Sequence, residues 1–420
     1  MQIEQSALPN GLTVISARLP EFESAAVMVV VRAGSRDETP EQSGIAHFLE
    51  HMAFKGTATR SALDIAVEVE CLGAQINAFT SQEMTAYHIT GLKDALADAL
   101  AILGDVLTAS RFDDADVAME RAVIAQEIAR KNDDPGSLCS EGFIATAYPN
   151  QPMGRPVLGD PAVVAAMTRD ALIGFVGRHY ATGRMVVVAT GDIEHAWLCR
   201  QVETHFAAIP SGLGAGAREK PIYVGGQAVH TRADFRQVNM ALGFPSVAID
   251  APGFLDHKLL SLALGHGMSS PLFQEVRQKR GLVYGVGSGS SHGSDSGVFA
   301  IQAGMTPENL RDVITVACAA AKSCGEAIEG RDFMRARNTM LAELASVKER
   351  PFQLGMYLAG QFFRHGTARG PAEDMVAVRK VEIADLVATA RRIFAAPPTL
   401  SLVGPIEADD YLGLASAALA

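Results

Sequence analysis

The sequence predicts an α+β protein of two tandem homologous domains, each a mainly antiparallel sheet covered by helices. Three observations predict it. Stretches that alternate apolar and polar residues, as strands do, lead into stretches with helical spacing, and this order recurs in both halves of the chain. Glycines mark matching points of the recurrence: Gly281 stands 208 residues after Gly73, and Gly404 stands 213 after Gly191. A segment of Gly and small residues, IPSGLGAGARE (209–219), divides the chain almost in half. Similar offsets over such a span are explained by duplication of one unit.

The elements follow in order. In the first half, GAQINAFTSQEMTAYHITGL (73–92) alternates like two paired strands, and KDALADALAILGDVL (93–107) follows with helical spacing. In the second half, GLVYGVGSGSSHGSDSGVFAIQAGM (281–305) precedes the helical TPENLRDVITVACAAA (306–321). Further on, TRDALIGFVGRHYATGRMVVVATGDI (168–193) and VEIADLVATARRIFAAPPTLSLVGPI (381–406) share one layout: a helix, a short turn and a buried strand ending in Gly. The expected boundaries are a first domain over 1–208, a linker over 209–224 and a second domain over 225–420. A chain of 420 residues is too long for one ordinary core, which agrees with that division.

Composition narrows the function classes. A formal charge of -11 argues against nucleic acid as a partner, because phosphate binding needs a basic patch. It permits attraction of basic substrates. The apolar run Ala25–Val31 ends at Arg32, far short of the roughly 20 residues that span a bilayer, so no membrane segment is expected. MQIEQSALPNGL carries no basic segment followed by an apolar one, and no secretory signal is read there. Cys71, Cys139, Cys199, Cys318 and Cys324 are odd in number and scattered, which fits neither a disulfide framework nor a CxxC knuckle. Reduced, buried cysteines in a cytoplasmic protein are the expectation.

The chemistry is concentrated in SGIAHFLEHMAFKGT (43–57). Gly44 precedes an apolar-periodic run and Gly56 follows it, as at the ends of a short helix. Positions i, i+3 and i+4 share a helical face, which groups His47, Glu50 and His51. Two imidazoles one turn apart can reach one Zn²⁺ at about 2.0–2.1 Å. The carboxylate beside them can take a proton from the metal's water. Solvated side chains on a surface helix are the plainer alternative. Against it, Ile45, Phe48, Leu49, Met52 and Phe54 make the helix apolar on most sides, and buried histidines and a carboxylate need partners.

A hydrolytic zinc site needs a third protein ligand and an open position. MERAVIAQEIARK (119–131) is strongly helical, and Glu120 and Glu127 stand two turns apart on one face. One can ligate while the other braces a histidine from behind. Spacing alone does not choose between them.

These residues resemble the pitrilysin/insulysin clan of metallopeptidases, family M16, and within it the short-chain branch of processing peptidases. AHFLEHMAFKGT is similar to that family's signature nearly residue for residue. The family's third ligand stands 76 positions after the second His, which here is Glu127, and the resemblance leaves Glu120 behind a histidine. GSRDE (34–38) resembles the segment before the metal helix, and QPMGRPVLG (151–159) the loop after the third-ligand helix. GAQINAFTSQEMTAY (73–87) resembles the strand to which peptide substrates add, with Asn77 and Ala78 offered to the substrate backbone. FQEVRQKRGLVYGV (273–286) resembles the family's Arg/Tyr element, in which Arg277 and Tyr284 contact the bound peptide. GHGMSSPLF departs from the family's Gly-rich turn, since it carries His266 and Pro271; a turn or capping role is expected for His266.

The resemblance spans about residues 7–405. It implies a zinc endopeptidase with one Zn²⁺ per chain, Glu50 as general base, and peptides or unfolded segments as substrates. It also implies a homodimer closing around a chamber, since this chain keeps both the metal motif and the Arg/Tyr element. The alternative is a non-catalytic or partner-dependent subunit of the same fold.

Overall fold

The structure is a computed structural model, and it describes residues 1–214 and 216–420. Residue 215, inside the expected linker 209–224, lies outside the described residues. Two compact units are present: Met1–Ile128 with Arg155–Glu219 and Ala345–Glu373, and Ala129–Gly154 with Lys220–Leu344 and Asp374–Ala420. They depart from the contiguous halves 1–208 and 225–420 because residues 129–154 belong to the second unit and 345–373 to the first.

The first unit is built on six strands: β1 (Gln2–Ala7), β2 (Thr13–Arg18), β3 (Ser24–Val31), β4 (Gln75–Thr80), β5 (Thr85–Leu92) and β6 (Met185–Gly191). Their order is β1-β2-β6-β3-β5-β4, antiparallel except for the β2–β6 pair. The second unit has β7 (Gly226–Thr231), β8 (Val238–Ser246), β9 (Val283–His292), β10 (Gly297–Met305) and β11 (Thr399–Gly404). Their order, β7-β11-β8-β10-β9, repeats that of the first sheet without β1, down to one parallel pair, β7–β11.

The glycines that signalled the repeat occupy equivalent backbone states. Gly73 and Gly281 have φ of 61° and 65°, and Gly191 and Gly404 end their strands at 141° and 157°. Side chains are strained in that region, so the same two positions in each repeat require Gly.

Strand β3 explains why Ala25–Val31 reads as unbroken apolar sequence: both of its faces are buried. Val27, Val29 and Val31 join a core with Phe48, Leu100, Leu103 and Phe175. Met28 and Val30 face Leu354, Leu358 and Ala359 of the helix Pro351–His365, which covers the sheet's other side. In the second unit, Met240, Leu242 and Phe244 pack with Val313, Ile314 and Ala317, while Ala241 and Val403 pack against Cys139 and Phe143. Apolar sequence in the exchanged segments thus covers the sheet of the unit each joins.

No helix among the described residues is long and apolar enough to cross a membrane. All five cysteines are free; Cys139, Cys318 and Cys324 are buried, and burial pushes each thiol up to about 12, while Cys71 is exposed rather than buried.

Candidate metal centre

The first four α-helices are α1 (Ile45–Met52), α2 (Ala62–Cys71), α3 (Leu96–Ala109) and α4 (Asp114–Asn132), and the candidate ligands lie on α1 and α4. Helix α1 forms where the spacing predicts. Ile45, Phe48, Leu49 and Met52 are essentially fully buried, each worth about 1.5–3 kcal/mol over an exposed position. Its N-cap, Gly44, has no side chain to accept the first amides and sits at φ 94°. The carboxylate of Glu38 replaces the missing cap, accepting from Gly44 N at 2.8 Å and Ala46 N at 3.0 Å. The end of the loop QPMGRPVLG closes over this terminus, for a Cβ on Gly44 would meet the Leu158 carbonyl oxygen at 2.8 Å. At the other end, Asp105 of α3 holds the loop after α1 through Thr57 Oγ1 (2.6 Å), Thr59 Oγ1 (2.8 Å) and Arg60 (2.8 Å).

Helix α4 turns Val117, Glu120, Ile124 and Ile128 inward, which brings its two glutamates, Glu120 and Glu127, to the face toward the α1 histidines. Glu127 Oε2 stands 3.5 Å from His47 Nε2 and 3.4 Å from His51 Nε2. Two ligands of a tetrahedral zinc ion, each at about 2.0–2.1 Å, are separated by about 3.3–3.4 Å, so these distances fit. The three donor atoms lie within 4.8 Å of one another, and no other such group of His, Cys, Asp and Glu occurs among the described residues. The imidazoles themselves support a metal. His47 is 6% exposed, its Nδ1 is buried without a hydrogen-bond partner, and burial followed by the nearby His51 lowers its pKa to about 4. It is therefore neutral, the form that ligates.

Glu120 takes the other position. Only 1% exposed, it meets His51 Nδ1 at 2.9 Å through Oε2 and the Lys55 ammonium at 2.5 Å through Oε1. That bond puts the proton on His51 Nδ1 and leaves Nε2 free to face Glu127. Lys55 was not anticipated, although it follows His51 by four residues. Glu50 is half-buried beside the set; burial raises its pKa, while a 2.6 Å hydrogen bond from Thr80 Oγ1 acts in the opposite sense. Thr80 and Glu38 were also missed; their roles depend on contacts between elements distant in sequence.

Strand β4, with Asn77 and Ala78, is an edge of its sheet, as expected of a strand that receives another. Asn77 is exposed; its Oδ1 accepts from Ala78 N at 2.8 Å, and its register partner is His88. Arg277 lies in a π-helical turn, Phe273–Gln278, with its guanidinium 4.8 Å from the Phe273 ring centre and 5.2 Å from that of Tyr284. Tyr284 is 82% exposed. Both belong to the second unit, whereas the metal set belongs to the first. His266 caps the helix Phe254–Gly265, and its carbonyl accepts from Arg335, which agrees with a capping role.

A buried ionic knot supports the end of β4. Arg184 (2.6 Å) and Arg218 (2.7 Å) both bind the Asp37 carboxylate, and Arg36 binds Glu83 at 2.5 Å in the β4–β5 turn. Burial alone would raise the Asp37 pKa, but Arg218 and Arg184 outweigh it and hold the group below its ordinary value. Asp37→Ala strands two arginines and is expected to cost about 3–5 kcal/mol in urea unfolding at neutral pH. A depressed folded pKa contributes stability that is complete above the unfolded carboxylate pKa. The wild-type advantage should therefore shrink as pH falls through the lower, folded value.

Comparison with known proteins agrees with this architecture. The family model described as insulinase (peptidase family M16) matches residues 13–161, and that of the peptidase M16 inactive domain matches residues 166–340. A protein of Rickettsia bellii named an uncharacterized zinc protease is 34% identical over 401 residues, covering 95% of this chain and 97% of its own. A protein of the same description from Streptomyces coelicolor is 34% identical over 422 residues, covering 96% and 90%. The crystal structure of a protease from Helicobacter pylori superposes with a TM-score of 0.88 at 25% identity, covering 96% of this chain and 99% of that one. With both halves matched in sequence order and relatives aligned along nearly the whole length, the chain belongs to peptidase family M16.

Proposed function

We propose that this chain is a zinc-dependent endopeptidase acting on peptides or flexible, unfolded segments, with one zinc ion held by His47, His51 and Glu127. The observation that carries the reading is the convergence of those three donors beside the half-buried Glu50. Relatives named as zinc proteases support it. When bound, zinc lowers the pKa of a water molecule toward about 7 and polarises a carbonyl oxygen. Glu50 accepts the attacking water's proton and returns it to the leaving amine.

The free edge at Asn77 and Ala78 is the proposed seat of the substrate backbone, since strand addition holds extended peptides with little regard to sequence. Arg277 and Tyr284 are proposed to steady the substrate carbonyl, a role to which the exposed Tyr284 hydroxyl is suited. A homodimer enclosing the substrate is proposed from the family resemblance, and cytoplasmic residence from the five unpaired cysteines.

Incubation of the purified protein with a mixture of unstructured peptides tests the reading. Internal cleavages that stop with a chelator and return with zinc are expected. Cleavage indifferent to the chelator, or removal of terminal residues alone, would contradict it.

A further inference from the structure

Strand β4 ends at Thr80, and that residue's hydroxyl donates a 2.6 Å hydrogen bond to Glu50 Oε2. We propose that Thr80 is a positioning residue for the general base, tying the orientation of the Glu50 carboxylate to the strand on which substrate is seated. The proposal rests on the peptidase reading above and adds a component to the same site.

A carboxylate on a helix rotates about its last side-chain bond with little resistance, and a single donor fixes that rotation. With Oε2 bound by Thr80, Oε1 remains to receive a proton. The donor is itself fixed. Thr80 pairs in register with Thr85, whose hydroxyl donates to the Ala33 carbonyl at 2.9 Å in a fully buried setting. The turn beyond Thr80 is clamped by backbone bonds from Ser35 N to Ser81 O (3.1 Å) and from Arg36 N to Gln82 O (2.9 Å). Gly34 leaves no room for a Cβ against the Ser81 carbonyl, so the two backbones meet in direct contact. Four residues further, Glu38 caps α1. One short segment, 34–38, thus holds both the turn that carries Thr80 and the helix that carries Glu50. In this arrangement GSRDE keeps donor and base in register.

The variants Thr80→Val and Thr80→Ser separate orientation from packing. Val keeps the shape and deletes the donor; Ser keeps the donor and deletes a methyl group. Loss of a hydrogen bond to a charged group predicts that T80V loses about 10- to 100-fold in kcat, with KM and zinc content unchanged. T80S should recover most of that loss. Placing T80V on Glu50→Gln should cost nothing further, because the group being oriented no longer accepts a proton. In crystals of the zinc-loaded proteins, the Glu50 carboxylate should occupy one orientation in wild type and more than one in T80V. Wild-type kcat in T80V, an equal loss in T80S, or one unchanged Glu50 orientation in both crystals would overturn the proposal. Absence of peptide hydrolysis by the wild type would count instead against the peptidase reading, and the crystals would still decide whether Thr80 orients Glu50.

Discussion

Glu50→Gln protein is expected to bind zinc as the wild type does and to lose about 10²- to 10⁴-fold in kcat, the range assigned to positioned acid–base groups. The substitution is nearly isosteric, and its amide oxygen can still accept from Thr80 Oγ1 as Glu50 Oε2 does. Helix α1 should be undisturbed, because its stability comes from Phe48, Leu49, Met52 and the Glu38 cap rather than from Glu50. What the amide lacks is the capacity to take up a proton. Metal analysis beside steady-state kinetics checks the expectation. Full turnover would move the base elsewhere, and lost zinc would make Glu50 a ligand.

The two glutamates of α4 should separate as sharply. Glu127→Ala removes the oxygen that faces both imidazoles, and two histidines are too few for a closed zinc site, so the purified variant should contain almost no zinc. Glu120→Gln leaves all three donors in place. It removes the charge that orients His51 and pairs with Lys55, and zinc affinity should fall about 10- to 100-fold. Competition with a chelator of known affinity measures both. The reverse ranking would exchange the roles of the two acids.

Much of this was legible in the sequence, for reasons that can be named. His47, Glu50 and His51 lie within one helical turn, so their convergence follows from helix geometry alone. The duplication was legible because Gly73, Gly191, Gly281 and Gly404 sit at backbone positions that other residues occupy only with strain. Between Glu120 and Glu127, helical spacing was silent. The family resemblance favoured Glu127, and the distances to His47 and His51 agree with it.

Thr80, Lys55 and Glu38 escaped because each acts across a tertiary contact that no local period encodes. Thr80 reaches Glu50 over 30 residues of chain, and Glu38 caps a helix whose own N-cap is a glycine. The exchange of residues 129–154 and 345–373 between units escaped as well. Periodicity reports that a helix such as Pro351–His365 has an apolar face, and it does not say which sheet that face covers.

The most direct test of the central claim is a zinc titration of the metal-free protein, with peptide hydrolysis and bound zinc followed together. The account predicts activity that rises from near zero and saturates at one zinc per chain. Full activity before zinc is added, or no hydrolysis once one zinc per chain is bound, would contradict it.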